Sequence, residues 1–175
     1  VCGAPGGKSI NAALKMSEQG DCGRVIARDL SDYKVALIDE NIKRLNITNI
    51  QTQVYDALDC DESLINKADI VIADLPCSGL GIIGRKPDIK YNASPEKLQS
   101  LVDLQRDILK VVSRYVKSGG VLMYSTCTIN RAENEDNADW ICKESGFTKD
   151  GEYHQLLPAN NSGMDGFFVA RLIKN

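Results

Sequence analysis

Short apolar runs alternate along the chain with stretches whose apolar residues recur every three or four positions, and this alternation predicts strands and helices in turn. Residues 70–73, reading IVIA, form the clearest run. Four uncharged apolar residues in a row are typical of a strand buried on both faces, as in parallel sheets flanked by helices. Further short strands are expected at 25–27, 50–56 and 121–124. Between them, residues 10–19 are amphipathic and Gly20 is placed to stop them, while Val35, Ile38, Ile42 and Leu45 repeat at helical spacing behind Ser31 as N-cap. The longest helix opens at Ser94-Pro95-Glu96, with Ser94 as N-cap and Pro95 at the first helical position. Its apolar stripe is Leu98, Leu101, Val102, Ile108, Leu109, Val112, Tyr115 and Val116, and it is expected to end at Gly119-Gly120. Arg106, Lys110, Arg114 and Lys117 read as its solvated face. Asn130 with Glu133 three residues on resembles a capping box for a last helix that carries Trp140 and Ile141 and stops near Gly146. Strand-like pieces around 147–153 and 167–173, joined by a Pro/Asn/Gly-rich connection, then suggest an antiparallel pair at one sheet edge. The pattern as a whole predicts an α/β fold with a mostly parallel sheet.

With 175 residues, 43% hydrophobic and 26% charged, the chain has ordinary globular composition, and one domain spanning residues 1–175 is expected. No stretch approaches the roughly 18 apolar residues of a membrane helix, so a soluble cytoplasmic protein without a membrane partner is expected. Six cysteines, at 2, 22, 60, 77, 127 and 142, show no C-x-x-C pair, and His154 is the lone histidine. Neither a disulfide scaffold nor a metal site is therefore expected. The net charge of −3 argues against a strongly basic nucleic-acid binder, so any polynucleotide contact rests on a local patch or on further parts. Val1 opens directly into a glycine-rich loop with no strand before it, which suggests a fragment boundary.

The chemistry gathers where strands are predicted to end, the edge at which open α/β sheets bind ligands. VCGAPGGKS at the start places three glycines and a proline before a helix, a turn that opens backbone amides to a ligand or simply joins strand to helix. It differs from a Walker A loop at Cys2, where the first glycine would stand. Asp29 follows the strand at 25–27, at the position from which an acid binds cofactor ribose hydroxyls in doubly wound folds, and is equally a capping residue. Asp56 is a third strand-end acid beside Asp29 and Asp74, with a turn role as its alternative. Cys77 and Cys127 each follow a strand among small polar residues, in ADLPCSG and YSTCT, where a thiolate nucleophile is accessible. Cys22, Cys60 and Cys142 read instead as small buried hydrophobes. Arg85, Lys86 and Lys90, in the loop after Cys77, are placed to engage phosphates or are ordinary loop cations.

The segments CGAPGGKS, ADLPCSGLG and YSTCTINRAENE, with DGFFVARLIK near the end, resemble in order the signature motifs of the S-adenosylmethionine-dependent RNA cytosine-5 methyltransferases, the Sun and nucleolar-protein family. GRKPDIKY is similar to its bacterial Sun (RsmB/Fmu) branch, which acts on a cytosine of 16S rRNA. The resemblance implies a class I methyltransferase (Rossmann-like) fold whose first strand is largely missing, as a truncated catalytic domain. It further implies that Cys2, Gly3, Ala4, Pro5, Gly6, Gly7 and Lys8 form the cofactor loop, with Asp29 on the ribose and Asp56 near the adenine. Asp74 would lie between cofactor and base, Cys127 would be the nucleophile, and Cys77 would assist product release. Gly3 stands where the family usually has alanine, a mild change. Two other readings are a non-catalytic rRNA-binding or assembly module and a P-loop-like nucleotide-binding protein.

Overall fold

The computed structural model describes residues 1–158 and 163–175, so residues 159–162 of the Pro/Asn/Gly-rich connection lie outside the described residues. The chain forms two compact units, Val1–Asp59 and Cys60–Asn175.

In the first unit, α1 (Gly7–Glu18) and α2 (Asp32–Leu45) accompany a parallel pair, β1 (Val25–Asp29) and β2 (Ile50–Val54), in register from Val25↔Ile50 to Asp29↔Val54. Helix α1 begins at Gly7 rather than residue 10, because Gly6 turns the chain at φ 105° and its carbonyl accepts the Ile10 amide. Gly20, at φ 70°, closes the far end as expected. The Ser31 hydroxyl accepts from the Lys34 amide at 3.4 Å and caps α2. Ile10, Ala13, Ala27, Val35 and Ile38 are the buried apolar side chains here. Leu45 is exposed, since it falls in the last turn, where Asn46 leaves the helix at φ 53°.

In the second unit the strand order is β3 (Ala68–Asp74), β4 (Val116–Thr126), β7 (Phe167–Lys174), β5 (Phe147–Lys149), with β6 (His154–Leu156) also on β7. β3 and β4 are parallel, and every pairing of β7 is antiparallel. Of the expected C-terminal pair only β5 is an edge: β7 lies inside the sheet, where Phe168, Ala170 and Leu172 are completely buried. Helices α3 (Ile89–Asn92), α4 (Pro95–Ser113) and α5 (Glu135–Ser145) follow. Ser94 and Pro95 begin α4 as read, with the Ser94 hydroxyl accepting from the Lys97 amide.

Helix α4 ends at Ser113, not at the glycine pair. Tyr115 and Val116 are buried, but Val116 already pairs with Ala68, and the ladder resumes only at Ile70↔Val121. The surplus residues of β4 bulge out through Gly119 at φ 73°, and Lys117 forms an ion pair with Asp69 there. Ile70, expected to be enclosed, is 60% exposed, and burial along β3 begins with Val71 and Ala73. The last helix starts at Glu135 and ends at Gly146, φ 68°, but the Asn130 carboxamide caps a separate 3-10 turn at Arg131–Glu133 through the Ala132 amide. Cys22 is exposed and Cys60 and Cys142 are half-buried, so none is the enclosed hydrophobe expected. Among the described residues no helix is long and apolar enough to cross a membrane.

Candidate functional site

The glycine loop is tied to the end of β1. The Gly3 amide donates to the Arg28 carbonyl at 2.8 Å, and the Ala4 amide to the Asp29 carboxylate at 2.9 Å. A Cβ on Gly6 would sit 3.1 Å from Ile10 and Ile38 side-chain carbons, in a left-handed backbone besides, so this turn tolerates only glycine. Gly7 has no atom within 4 Å of the place a Cβ would occupy, and Gly7 and Lys8 are exposed at the amino end of α1, leaving the backbone open to a ligand. Asp29 is 4% exposed. Burial alone would raise its pKa, but hydrogen bonds from the Ala4 and Leu30 amides and the Lys34 ammonium, 3.2 Å away, outweigh it and hold the carboxyl below the ordinary 3.8. Asp56 is half-buried and accepts from the Leu58 amide at 2.9 Å, the turn role weighed for it.

In the second unit, the parallel register Asp74↔Ser125 sends the segments after β3 and β4 out side by side, and the Leu75 amide extends the ladder to the Ser125 carbonyl. The Cys77 and Cys127 sulfurs, fifty residues apart in sequence, come to 3.3 Å, both half-buried. The hydrogen bond with Cys127, burial and the nearby Cys127 charge all push the Cys77 thiol far up. Two thiols so close cannot both ionise readily, so the pair holds a shared proton, and either sulfur can donate it to the other. Asp74 is half-buried and its carboxylate accepts from the Ser125 hydroxyl at 2.7 Å.

Beneath the thiols lies a network that sequence reasoning missed. Glu133 is completely buried and its carboxylate accepts from the Ser78 amide (2.8 Å), the Ser78 hydroxyl (2.5 Å), Gln105 (2.9 Å) and Asn130 (3.0 Å). Gln105 also donates to the Pro76 carbonyl and accepts from Asn137, which in turn accepts from Arg106. Arg106 is thus a half-buried bracket rather than part of a solvated face. One signal was available: Gln105 interrupts the apolar stripe of α4 three residues after Val102 and three before Ile108, and a polar residue on a buried stripe needs partners.

The Gly81 amide holds the Cys127 carbonyl at 3.1 Å, and the Gly166 amide holds the Gly81 carbonyl at 2.7 Å. Arg85, Lys86 and Lys90 are all exposed; Arg85 pairs with Asp165 at 3.0 Å, and Lys90 lies over the Tyr91 ring. No group of three or more His, Cys, Asp and Glu side chains able to hold a metal ion occurs among the described residues.

A glycine turn at a helix start, parallel strands that end in acids, and antiparallel C-terminal strands define a class I, S-adenosylmethionine-dependent methyltransferase fold. The chain matches the family model for 16S rRNA methyltransferase RsmB/F over residues 1–173 and belongs to that family. It is 37% identical over 99% of its length to the probable ribosomal RNA small subunit methyltransferase B of Bacillus subtilis (strain 168), covering 42% of that protein. It is 33% identical, again over 99% of its length, to ribosomal RNA small subunit methyltransferase F of Escherichia coli O157:H7 (strain EC4115 / EHEC), covering 39% of it. The chain therefore spans about two fifths of the length of these relatives. Among solved structures, NSun6 from Pyrococcus horikoshii with SFG superposes with a TM-score of 0.80 at 26% identity, over 98% of this chain and 46% of that one.

Proposed function

We propose that this chain is the catalytic part of an enzyme that methylates C5 of a cytosine in 16S rRNA through a covalent bond between Cys127 and C6 of the base. The approach of two strand-end thiols to 3.3 Å is the observation that carries this reading. Cytosine C5 is too weak a nucleophile to take a methyl group unaided, and one thiolate with a second, protonated thiol beside it suits a route through addition and elimination. When bound, S-adenosylmethionine supplies the methyl group. The residues of the first unit fit it: the glycine turn of Cys2 to Lys8 leaves amides open at a helix start, while Asp29 and Asp56 lend carboxylates for hydroxyl and amino groups.

The Cys127 thiolate forms a bond to C6, and the displaced electron pair makes C5 nucleophilic. Asp74, steadied by Ser125, shares a proton with N3 of the base, and that proton offsets the negative charge that builds there. After methyl transfer the C5 proton passes to water, the electron pair of that C–H bond reforms the C5–C6 double bond and breaks the bond to sulfur, and Cys127 departs as a thiolate that the Cys77 sulfur, 3.3 Å away, stands beside. A base in structured RNA must be turned out of its stack first. Arg85, Lys86 and Lys90 hold RNA phosphates.

Two variants of the full-length protein test this. Cys127→Ala abolishes methyl transfer, and Cys77→Ala accumulates a covalent RNA adduct seen as a slow band on a denaturing gel. Bisulfite mapping of rRNA from cells with and without the gene locates the target. Normal methylation by both variants overturns the reading, and preferential binding of ATP over S-adenosylmethionine would favour a nucleotide-binding protein.

A further inference from the structure

We infer that Glu133 is a positioning residue for the two thiols: its buried carboxylate clamps the turn carrying Cys77 to the turn carrying Cys127. The inference rests on the proposed function only for its catalytic consequence.

A chain of hydrogen bonds carries it. The Asn130 amide donates to Thr128 Oγ1 at 3.2 Å, and Ser78 Oγ lies 2.7 Å from Thr128 Oγ1. Because Ser78 spends its hydroxyl proton on Glu133 Oε1, Thr128 is the donor in that pair, and the chain has one direction from Asn130 to Glu133. Ser78 follows Cys77 and Thr128 follows Cys127, so the chain joins the immediate neighbours of both sulfurs. Gln105 adds a brace from α4, touching both Glu133 and the Pro76 carbonyl just before Cys77. The Glu133 backbone is held in turn: its carbonyl accepts from the Tyr124 hydroxyl, which burial keeps protonated.

Acceptor chemistry explains why the residue is an acid. Four donors converge on two oxygens, as many as a carboxylate accommodates. A glutamine of the same shape offers one acceptor oxygen and turns two donors of its own toward groups that already donate. The turns then lose their common anchor, and the sulfurs lose a fixed separation.

The test compares wild type with Glu133→Gln and Ser78→Ala. In this chain without RNA, the rate of diamide-driven closure of a Cys77–Cys127 disulfide reports the approach of the sulfurs, and the pH profile of iodoacetamide alkylation reports their sharing of one proton. In Glu133→Gln the closure slows about 100-fold, the scale of loss for reacting groups misplaced by an ångström, and the two thiols alkylate with independent profiles. In the full-length enzyme kcat falls on the same scale, while the dissociation constant for S-adenosylmethionine stays at the wild-type value. General loss of structure would move both together. Ser78→Ala acts in the same direction by a smaller factor, since it removes the hydroxyl bond to Glu133 and keeps the amide one, and the double variant adds little to Glu133→Gln because both changes act on the same contact. Should Glu133→Gln fail to fold, Ser78→Ala decides alone. Wild-type closure rates and alkylation profiles in the folded variants overturn the inference. If wild-type enzyme yields no 5-methylcytosine, the proposed function fails, and the disulfide arm still judges Glu133.

Discussion

Asp29 illustrates how a single side chain takes two duties. Its carboxylate anchors the glycine loop through the Ala4 amide, and the proposed ribose contact calls on the same group. Since its pKa is lowered in the folded chain, the unfolded state binds more protons in acid, and the stabilisation present above about pH 3.8 is lost as pH falls through the folded value. Asp29→Asn is therefore expected to cost about 2 kcal/mol at neutral pH, as hydrogen bonds to a charged group do, and to flatten the acid limb of the stability curve, both read by urea titration across pH. It also weakens S-adenosylmethionine binding, measured by calorimetry. An unchanged acid limb would mean the Ala4 and Lys34 contacts contribute nothing.

The ends of β3 and β4 act as a pair, and Gly81 is the element that locks them. A methyl group there would lie 2.4 Å from the Gly166 carbonyl oxygen and 2.8 Å from the Cys127 carbonyl oxygen. Both are backbone atoms, so the strand ends must shift. Gly81→Ala is expected to cost roughly 1–3 kcal/mol in thermal melts and to depress methyl transfer beyond its effect on stability. Gly84→Ala, three residues on with no atom within 4 Å, is expected to be silent. Equal effects of the two would remove Gly81 from the site. At this scale the alternation of apolar runs told much in advance: the strand cores, the Ser31 and Ser94 caps and the Gly20 and Gly146 stops all stand where patterning put them. The end of α4 did not, because the apolar residues Tyr115 and Val116 suit either a helix stripe or a strand, and only pairing with Ala68 chooses the strand.

For the whole molecule, a net charge of −3 means that RNA affinity has no help from overall charge and depends on local cations. Arg85, Lys86 and Lys90 are the proposed contacts, and Arg85 is engaged by Asp165. Binding of single-stranded RNA to this chain should then fall with salt at a log–log slope near −2, from roughly −0.7 per contacted phosphate. Replacing all three cations by alanine should bring that slope close to zero in fluorescence titrations. A slope unaltered by the triple variant would place the RNA elsewhere.

The sequence by itself determined the order of strands and helices, the strand-end acids and both thiols, because periodicity, caps and small polar turns are local properties of neighbouring residues. Tertiary structure alone decided that Cys77 and Cys127 meet, that β7 runs inside its sheet, and that Glu133 serves as a buried anchor instead of a capping box. Strand register and the satisfaction of a buried charge depend on partners tens of residues away, and no local pattern encodes which partner is found.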